Sequence, residues 1–198
     1  MSASGRLVVM AGPSAVGKGT IATFIVNNFP GFVLSVSATT RAPRIGEVDG
    51  VSYLFLTTAE FESRVASGQM LEWATVHGQN YYGTPREPVE LALSQGLNVI
   101  LEIDVQGAFQ VRKAFPEALL VFVHPPSFEE LRSRLDKRGT ESEQDKEIRL
   151  ETARIELEQA AEFDYSVVND EVARCAQEVV DLVQSKYCLL YTSPSPRD

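Results

Sequence analysis

The sequence predicts an α/β fold: a central parallel sheet flanked by helices, with a small mixed or antiparallel insertion at the sheet's ligand end. Three observations predict it. Short apolar runs alternate with helical patterns along most of the 198 residues. A glycine-rich loop joins the first apolar run to the first helix. The stretch from about 32 to 84 breaks this rhythm, with short alternating segments and a single helix.

Composition sets the frame. Apolar residues make up 44% of the chain, enough for a real core, and the length suits one domain with small insertions. The net charge of −9 argues against nucleic acid as a partner but leaves room for a nucleotide held by local cations. No apolar run approaches the roughly 18 residues of a membrane span. Residues 1–6 lack the apolar stretch of a signal peptide. The two cysteines, Cys175 and Cys188, make neither a disulfide framework nor a zinc site. A cytoplasmic protein is expected.

The elements follow in order. Leu7–Ala11 is apolar and ends at Gly-Pro, the pattern of a buried parallel strand. Thr20–Asn28 carries Ile21, Phe24 and Ile25 at helical spacing. Within the insertion, Val33–Ala38, Val51–Leu56, Met70–Val76 and Gln79–Tyr82 read as strands. The helix between them has Thr57 and Glu60 as a capping box and Gly68 as its stop. Leu97–Ile103, Leu119–Val123 and Tyr165–Val168 are further buried strands, each followed by a helical pattern. Ser127 and Glu130 fit a second capping box. Leu150, Ala153, Leu157 and Ala161 share one face of a helix over 147–162, and Val172, Ala176, Val179, Val180 and Val183 one face of the last. The polar stretch 138–146 lies between two helices, where a mobile lid is expected. From Cys188 to Asp198 the helical pattern stops. This segment reads as a non-native, adapter-derived tail and is set aside from fold reasoning.

Gly12-Pro-Ser-Ala-Val-Gly-Lys18-Gly-Thr20 matches G-x-x-x-x-G-K. Glycines let the backbone curl until several N–H groups face one anion. The helix that starts there adds unpaired N–H groups and its positive dipole end. Lys18 adds a mobile charge for β- and γ-phosphates. Gly19 stands where a magnesium-binding hydroxyl is usual, which points to a metal held mainly by water and nucleotide.

Further clusters narrow the chemistry. Arg41 and Arg44, three residues apart, can fork around a phosphate, with Tyr53 and Tyr82 as phenolic donors. Glu72, if buried, can accept two parallel bonds from guanine's ring N–H and exocyclic amine, a donor pair that adenine lacks. Glu102 and Asp104 end a parallel strand, where ligands bind in such sheets. Asp104–Gly107 also spells D-x-x-G, a GTPase-like motif.

Taken together, Gly12–Thr20, Ser35–Arg44, Gly46–Tyr53, Glu72–Ala74, Tyr81–Thr84, Glu102–Gly107 and Arg138–Thr140 resemble the guanylate kinase family, in the family's order over about residues 6–187. The resemblance implies a three-layer P-loop fold: a core of 6–32 and 85–187, a GMP-binding insertion at about 33–84 and a lid at about 138–147. It implies that Ser14, Ala15, Val16, Gly17, Lys18, Gly19 and Thr20 hold ATP phosphates, with Asn169 beside the adenine. By the same likeness Arg41, Arg44, Tyr53 and Tyr82 take the GMP phosphate, and Ser37, Glu72, Thr84 and Asp104 read the base. Lys18, Arg138 and Arg149 become the catalytic cations, with Arg134 a weaker candidate. Ala15, where glycine is common in the family, and Gly19 depart from the pattern. The implied reaction is ATP plus GMP (or dGMP) giving ADP plus the diphosphate, with Mg2+ accompanying ATP and neither nucleic acid nor membrane as partner. Three rivals stand beside it, one of them a kinase for another small phosphate acceptor on the same fold. A GTPase switch would use Asp104–Gly107 but lacks an N-K-x-D motif. A non-catalytic guanylate-kinase-like binding module would not need Lys18 or the arginines.

Overall fold

The structure is a computed structural model that describes residues 4–76, 80–137 and 143–190. Its main sheet has five parallel strands in the order β2-β7-β1-β8-β9. These are β1 (Leu7–Ala11), β2 (Phe32–Leu34), β7 (Asn98–Glu102), β8 (Leu119–His124) and β9 (Tyr165–Val168). Alternation along β1 decides which helices cover which face. Val8 and Met10 join a core with α1 (Lys18–Asn28) and α7 (Val172–Leu190), through Ile21, Ile25, Ala176 and Val179. Leu7, Val9 and Ala11 join the opposite core with α3 (Arg86–Ser94) and α4 (Val105–Ala114), through Val89, Leu93, Ala108 and Val111. The three layers expected from the sequence therefore arise from the two-residue period of a strand buried on both faces.

The second sheet runs β4-β3-β6-β5. It consists of β3 (Ala38–Thr39), β4 (Leu54–Phe55), β5 (Met70–Val76) and β6 (Asn80–Pro85). β3 pairs parallel with β4 and antiparallel with β6, so the sheet is mixed. Its core is small: Ala38, Phe61 and Met70, edged by Leu54, Leu56, Val65 and Tyr81. Phe61, on α2 (Thr58–Ala66), is fully buried and stacks on Tyr81 at 5.2 Å between ring centroids. With so little apolar surface, one ring carries much of the stability. Phe61→Ala is expected to cost about 3–5 kcal/mol in chemical denaturation, with amides of the mixed sheet losing hydrogen-exchange protection before those of the parallel sheet.

Several sequence readings change in detail. Val33–Ala38, read as one insertion strand, is divided: β2 (Phe32–Leu34) is the edge of the parallel sheet, and only β3 belongs to the insertion. The boundary signal was hidden because β2 is three residues long and, beyond Phe32, has Val33 half-buried and Leu34 exposed. The helix expected over 147–162 is α6 (Glu143–Glu158), followed by a 3-10 turn at Gln159–Glu162. The tighter turn rotates Ala160, not Ala161, onto the core. The last helix runs through Cys188 to Leu190, so the first residues of the suspected tail continue α7. The Thr57/Glu60 capping box is complete, Thr57 accepting from the Glu60 N–H and Glu60 from the Thr57 N–H. Ser127 accepts from the Glu130 N–H at 3.1 Å, but the Glu130 carboxylate turns to Arg134 instead of closing its box.

Candidate functional site

The phosphate loop leaves β1 at its carboxyl end and enters α1 at Lys18. Gly17, the residue before the helix, has φ 97°, a left-handed conformation that glycine adopts freely. Ala15 has φ 65°, the one left-handed position outside glycine among the described residues. A residue with a Cβ accepts strain of roughly 1 kcal/mol there, which accounts physically for glycine being the commoner choice.

The loop is held from behind by side chains. Arg134, on α5 (Phe128–Lys137), donates to the Val16 carbonyl at 3.0 Å, to the Asn169 carbonyl at 3.2 Å and to Glu130 at 3.0 Å. The Asn169 side-chain amide donates to the Val16 carbonyl at 2.8 Å and is 4% exposed. Both side chains therefore shape the loop. Asn169, which the sequence set beside an adenine ring, spends that amide on the loop itself. From α6, Arg149 donates to the Ser14 hydroxyl at 3.2 Å, which brings a cation to the mouth of the loop. Arg138 lies outside the described residues. The Lys18 ammonium donates to the Gly12 and Pro13 carbonyls at 2.6 and 3.2 Å, within its own loop.

A cavity of about 120 Å³ opens where the mixed sheet meets the end of β7. It is lined by Ser37, Tyr53, Glu72, Tyr82, Glu102 and Asp104, among others. Five of the residues assigned to GMP by resemblance thus converge on one space. Two more stand directly behind it. Thr84, 1% exposed, donates to Glu72 at 2.7 Å, and Arg41 donates from Nε to the Tyr82 oxygen at 3.1 Å. The Arg41 guanidinium also lies 5.5 Å from the Tyr53 ring centre, and the Tyr53 and Tyr82 rings meet edge to face at 6.0 Å. Arg44 is not among the lining residues and is exposed.

Glu72 is 6% exposed. Burial is the main reason its carboxyl is pushed up to about 7; the nearby Asp104 adds to the rise and the Thr84 hydroxyl opposes it. Asp104 caps α4, accepting from the Gly107 N–H at 2.7 Å. The D-x-x-G spelling is therefore a helix N-cap at the cavity wall.

Glu102 joins the cavity to the phosphate loop. A Cβ built on Gly19 would stand 2.9 Å from a Glu102 carboxylate oxygen. The space usually given to a hydroxyl-bearing side chain is taken by an anionic oxygen from β7. This donor set fits a hard divalent cation that keeps most of its ligands from water and phosphate. Among the described residues no cluster of three ligating side chains exists.

Sequence reasoning missed two carboxylates. Glu156 lies two turns after Arg149 on α6, and three residues before Gln159, which meets Gln106 near the start of α4 at 3.4 Å. It is half-buried, and burial is the main cause that pushes it up to about 7; the Lys18 charge opposes the rise and Asp104 adds to it. Its helical register with Arg149 was the available signal. Glu47 pairs with Arg41 and is taken up below. A larger apolar cavity of about 290 Å³, lined by Val33, Leu54, Pro88 and Val99 among others, presents few polar groups and lies away from the phosphate loop.

Comparison with known proteins agrees in direction. The family model "Guanylate kinase" matches residues 4–186. A guanylate kinase from Leifsonia xyli subsp. xyli is 57% identical over 90% of this chain and 70% of its own length. One from Nocardia farcinica is 54% identical over 91% of this chain and 94% of its own length. The crystal structure of guanylate kinase from Anaplasma phagocytophilum superposes with a TM-score of 0.74 at 32% identity, covering 93% of this chain and 87% of that one.

Proposed function

The chain belongs to the guanylate kinase family, and from that premise we infer that it is a working enzyme, moving the γ-phosphoryl group of ATP to GMP to give ADP and GDP. The observation that carries this is the meeting of an intact phosphate loop with a cavity that holds one buried carboxylate, joined through Glu102.

We assign the work as follows. A phosphate oxygen of GMP attacks the γ-phosphorus in line, the bond from that phosphorus to the β–γ bridging oxygen breaks, and ADP leaves. The acceptor oxygen is already anionic, so no general base is required. Lys18 follows the charge on the β- and γ-oxygens, and Arg149, held at Ser14, reaches the same oxygens. Arg138 completes the cation set by resemblance. The loop N–H groups from Ser14 to Thr20 hold the remaining phosphate oxygens. Magnesium, when bound with ATP, would supply further charge neutralisation, and the Glu102 carboxylate beside Gly19 is placed to help hold it. Arg134 and Asn169 keep the Val16 peptide fixed, so that the loop does not reorganise during transfer.

On the acceptor side, Tyr82, Tyr53, Arg41 and Arg44 serve the GMP phosphate. Ser37, Glu72, Thr84 and Asp104 serve the base. Glu72 accepts from guanine's two adjacent N–H groups while Thr84 fixes its orientation. The resemblance implies a lid over about 138–147, of which 138–142 lie outside the described residues and Glu143 onward belongs to α6; closure there would exclude water that otherwise hydrolyses ATP.

A GTPase switch finds no support in the cavity, where Asp104–Gly107 is a helix cap. A binding-only module would not need Lys18 in its loop. A coupled ADP-release assay across GMP, dGMP, AMP, CMP and UMP tests the assignment. Turnover with GMP and dGMP but little with the others is expected. Release of ADP irrespective of acceptor, or none with GMP, overturns it.

A further inference from the structure

Arg41 is the most heavily engaged cation of the acceptor site. A guanidinium has five N–H donors. Nε donates to Tyr82 at 3.1 Å, and Nη1 to the Ala42 carbonyl at 2.7 Å and to Glu47 at 3.0 Å. Nη2 donates to the other Glu47 oxygen at 2.8 Å. Glu47 thus grips Arg41 through two parallel bonds, the strongest geometry available to such a pair. Both side chains are mostly shielded, at 15% and 20% exposure. The fifth N–H, on Nη2, is all that Arg41 has left for a ligand.

The same carboxylate also accepts from the Arg44 backbone N–H at 2.7 Å, and the Glu47 N–H returns a bond to the Arg44 carbonyl at 3.0 Å. The turn between them is otherwise bare: Arg44 is exposed, and so is Ile45. One carboxylate therefore sets the rotamer of one assigned phosphate arginine and the backbone course of the other. The chain of bonds goes further. Because the Tyr82 oxygen accepts from Arg41, its own O–H is directed away from the guanidinium and is free to donate. Tyr82 lines the cavity, whereas neither Arg41 nor Glu47 does.

We propose that Glu47 is a positioning residue for the acceptor phosphate: it holds Arg41 and the Arg44 turn so that one Arg41 N–H and the Tyr82 hydroxyl are preset for that anion. The proposal rests on the functional reading above, that this cavity takes a nucleoside monophosphate. A carboxylate so close to an anion site also has an opposite possible effect, since it neutralises Arg41 and repels phosphate. Two features decide for positioning. Glu47 is anchored to its own turn at Arg44, its carboxylate accepting from the Arg44 N–H and its own N–H donating to the Arg44 carbonyl, so it is not free to swing away as a displaceable mimic would be. Its bonds also run to the side of Arg41 that faces Ala42 and Arg44, not to the Tyr82 side.

The test is Glu47→Gln, measured by titration calorimetry with GMP and with guanosine, and by steady-state kinetics with each substrate varied. Binding through Arg41 and Tyr82 is shared by ground and transition states, so KM for GMP is expected to rise about 10- to 100-fold with kcat and KM for ATP little changed. Guanosine, which has no phosphate, is expected to bind the variant as it binds the parent. Equal losses for GMP and guanosine, or a lowered melting temperature with losses for both substrates, would reduce Glu47 to a structural residue and overturn the proposal. Unchanged or tighter GMP binding would overturn it as well, by making the carboxylate a bystander or a competitor. Failure of the parent protein to bind GMP is a separate result: it removes the functional reading itself.

Discussion

Lys18→Ala is expected to lower turnover by on the order of 10³–10⁵ while leaving the fold intact. The reaction moves a phosphoryl group between two polyanions, and little covalent chemistry falls to the protein. Catalysis is then mostly charge stabilisation by groups already in place, and removing one such cation costs about that much. Lys18 opens α1, and its ammonium donates to the Gly12 and Pro13 carbonyls of its own loop. The loop keeps its shape through Arg134 and Asn169, which the substitution does not touch. Circular dichroism and the melting temperature should therefore stay near the parent values while kcat collapses. Activity close to that of the parent would defeat the assigned mechanism.

Much of this was legible in the sequence, and the reason is local chemistry. The phosphate loop declares itself because its conformation demands particular residues at fixed offsets, as the left-handed Gly17 shows. β1 and β8 were readable because strands buried on both faces are unbroken apolar runs; β9, expected to be buried, is the edge of the sheet and buries only Val167. Contacts between distant elements were not readable. Nothing in the spacing of Asn169 and Val16 says that the Asn169 amide donates to the Val16 carbonyl; its place beside the adenine rests on the resemblance alone. Arg134 looked like a lesser lid arginine because an exposed charge on a helix is the ordinary expectation. Only the packing of α5 against the loop turns it inward. Glu47 sat within a recognised motif, yet its value lies in a fork whose geometry depends on a turn at Arg44 that no periodicity encodes. Glu156 was hidden for a similar reason: its neighbours Lys18 and Asp104 come from two other elements.

The other large effect is expected from Glu72→Gln, and it concerns choice rather than speed. Guanine presents two adjacent donors, its ring N–H and its exocyclic amine. The Glu72 carboxylate is buried and steadied by Thr84, and on the proposed reading it accepts from both. A glutamine can still accept from Thr84 and from one guanine donor, but its amide then points a donor at a donor. Adenine, with a ring acceptor beside an amine, suits that amide better. Selectivity for GMP over AMP should fall by about 10²–10⁴-fold, since a buried group left unpaired is what rejects the wrong base. The pH dependence gives a second readout. In the free protein Glu72 is pushed up to about 7 by burial, so below neutrality it carries a proton and offers guanine one acceptor fewer. Binding needs the ionised form, so KM for GMP should be flat above about pH 7.5 and rise toward tenfold per unit below about pH 6.5. The sign for stability is opposite. A carboxyl raised in the fold favours the folded protein while protonated, and that contribution fades as pH climbs from about 4.5 to about 7. Loss of GMP affinity on acidification therefore cannot be put down to unfolding through this group. In Glu72→Gln the acid-side rise should vanish, leaving a weaker but level profile. If the variant keeps both the parent's GMP preference and its acid-side rise, the carboxylate does not read the base.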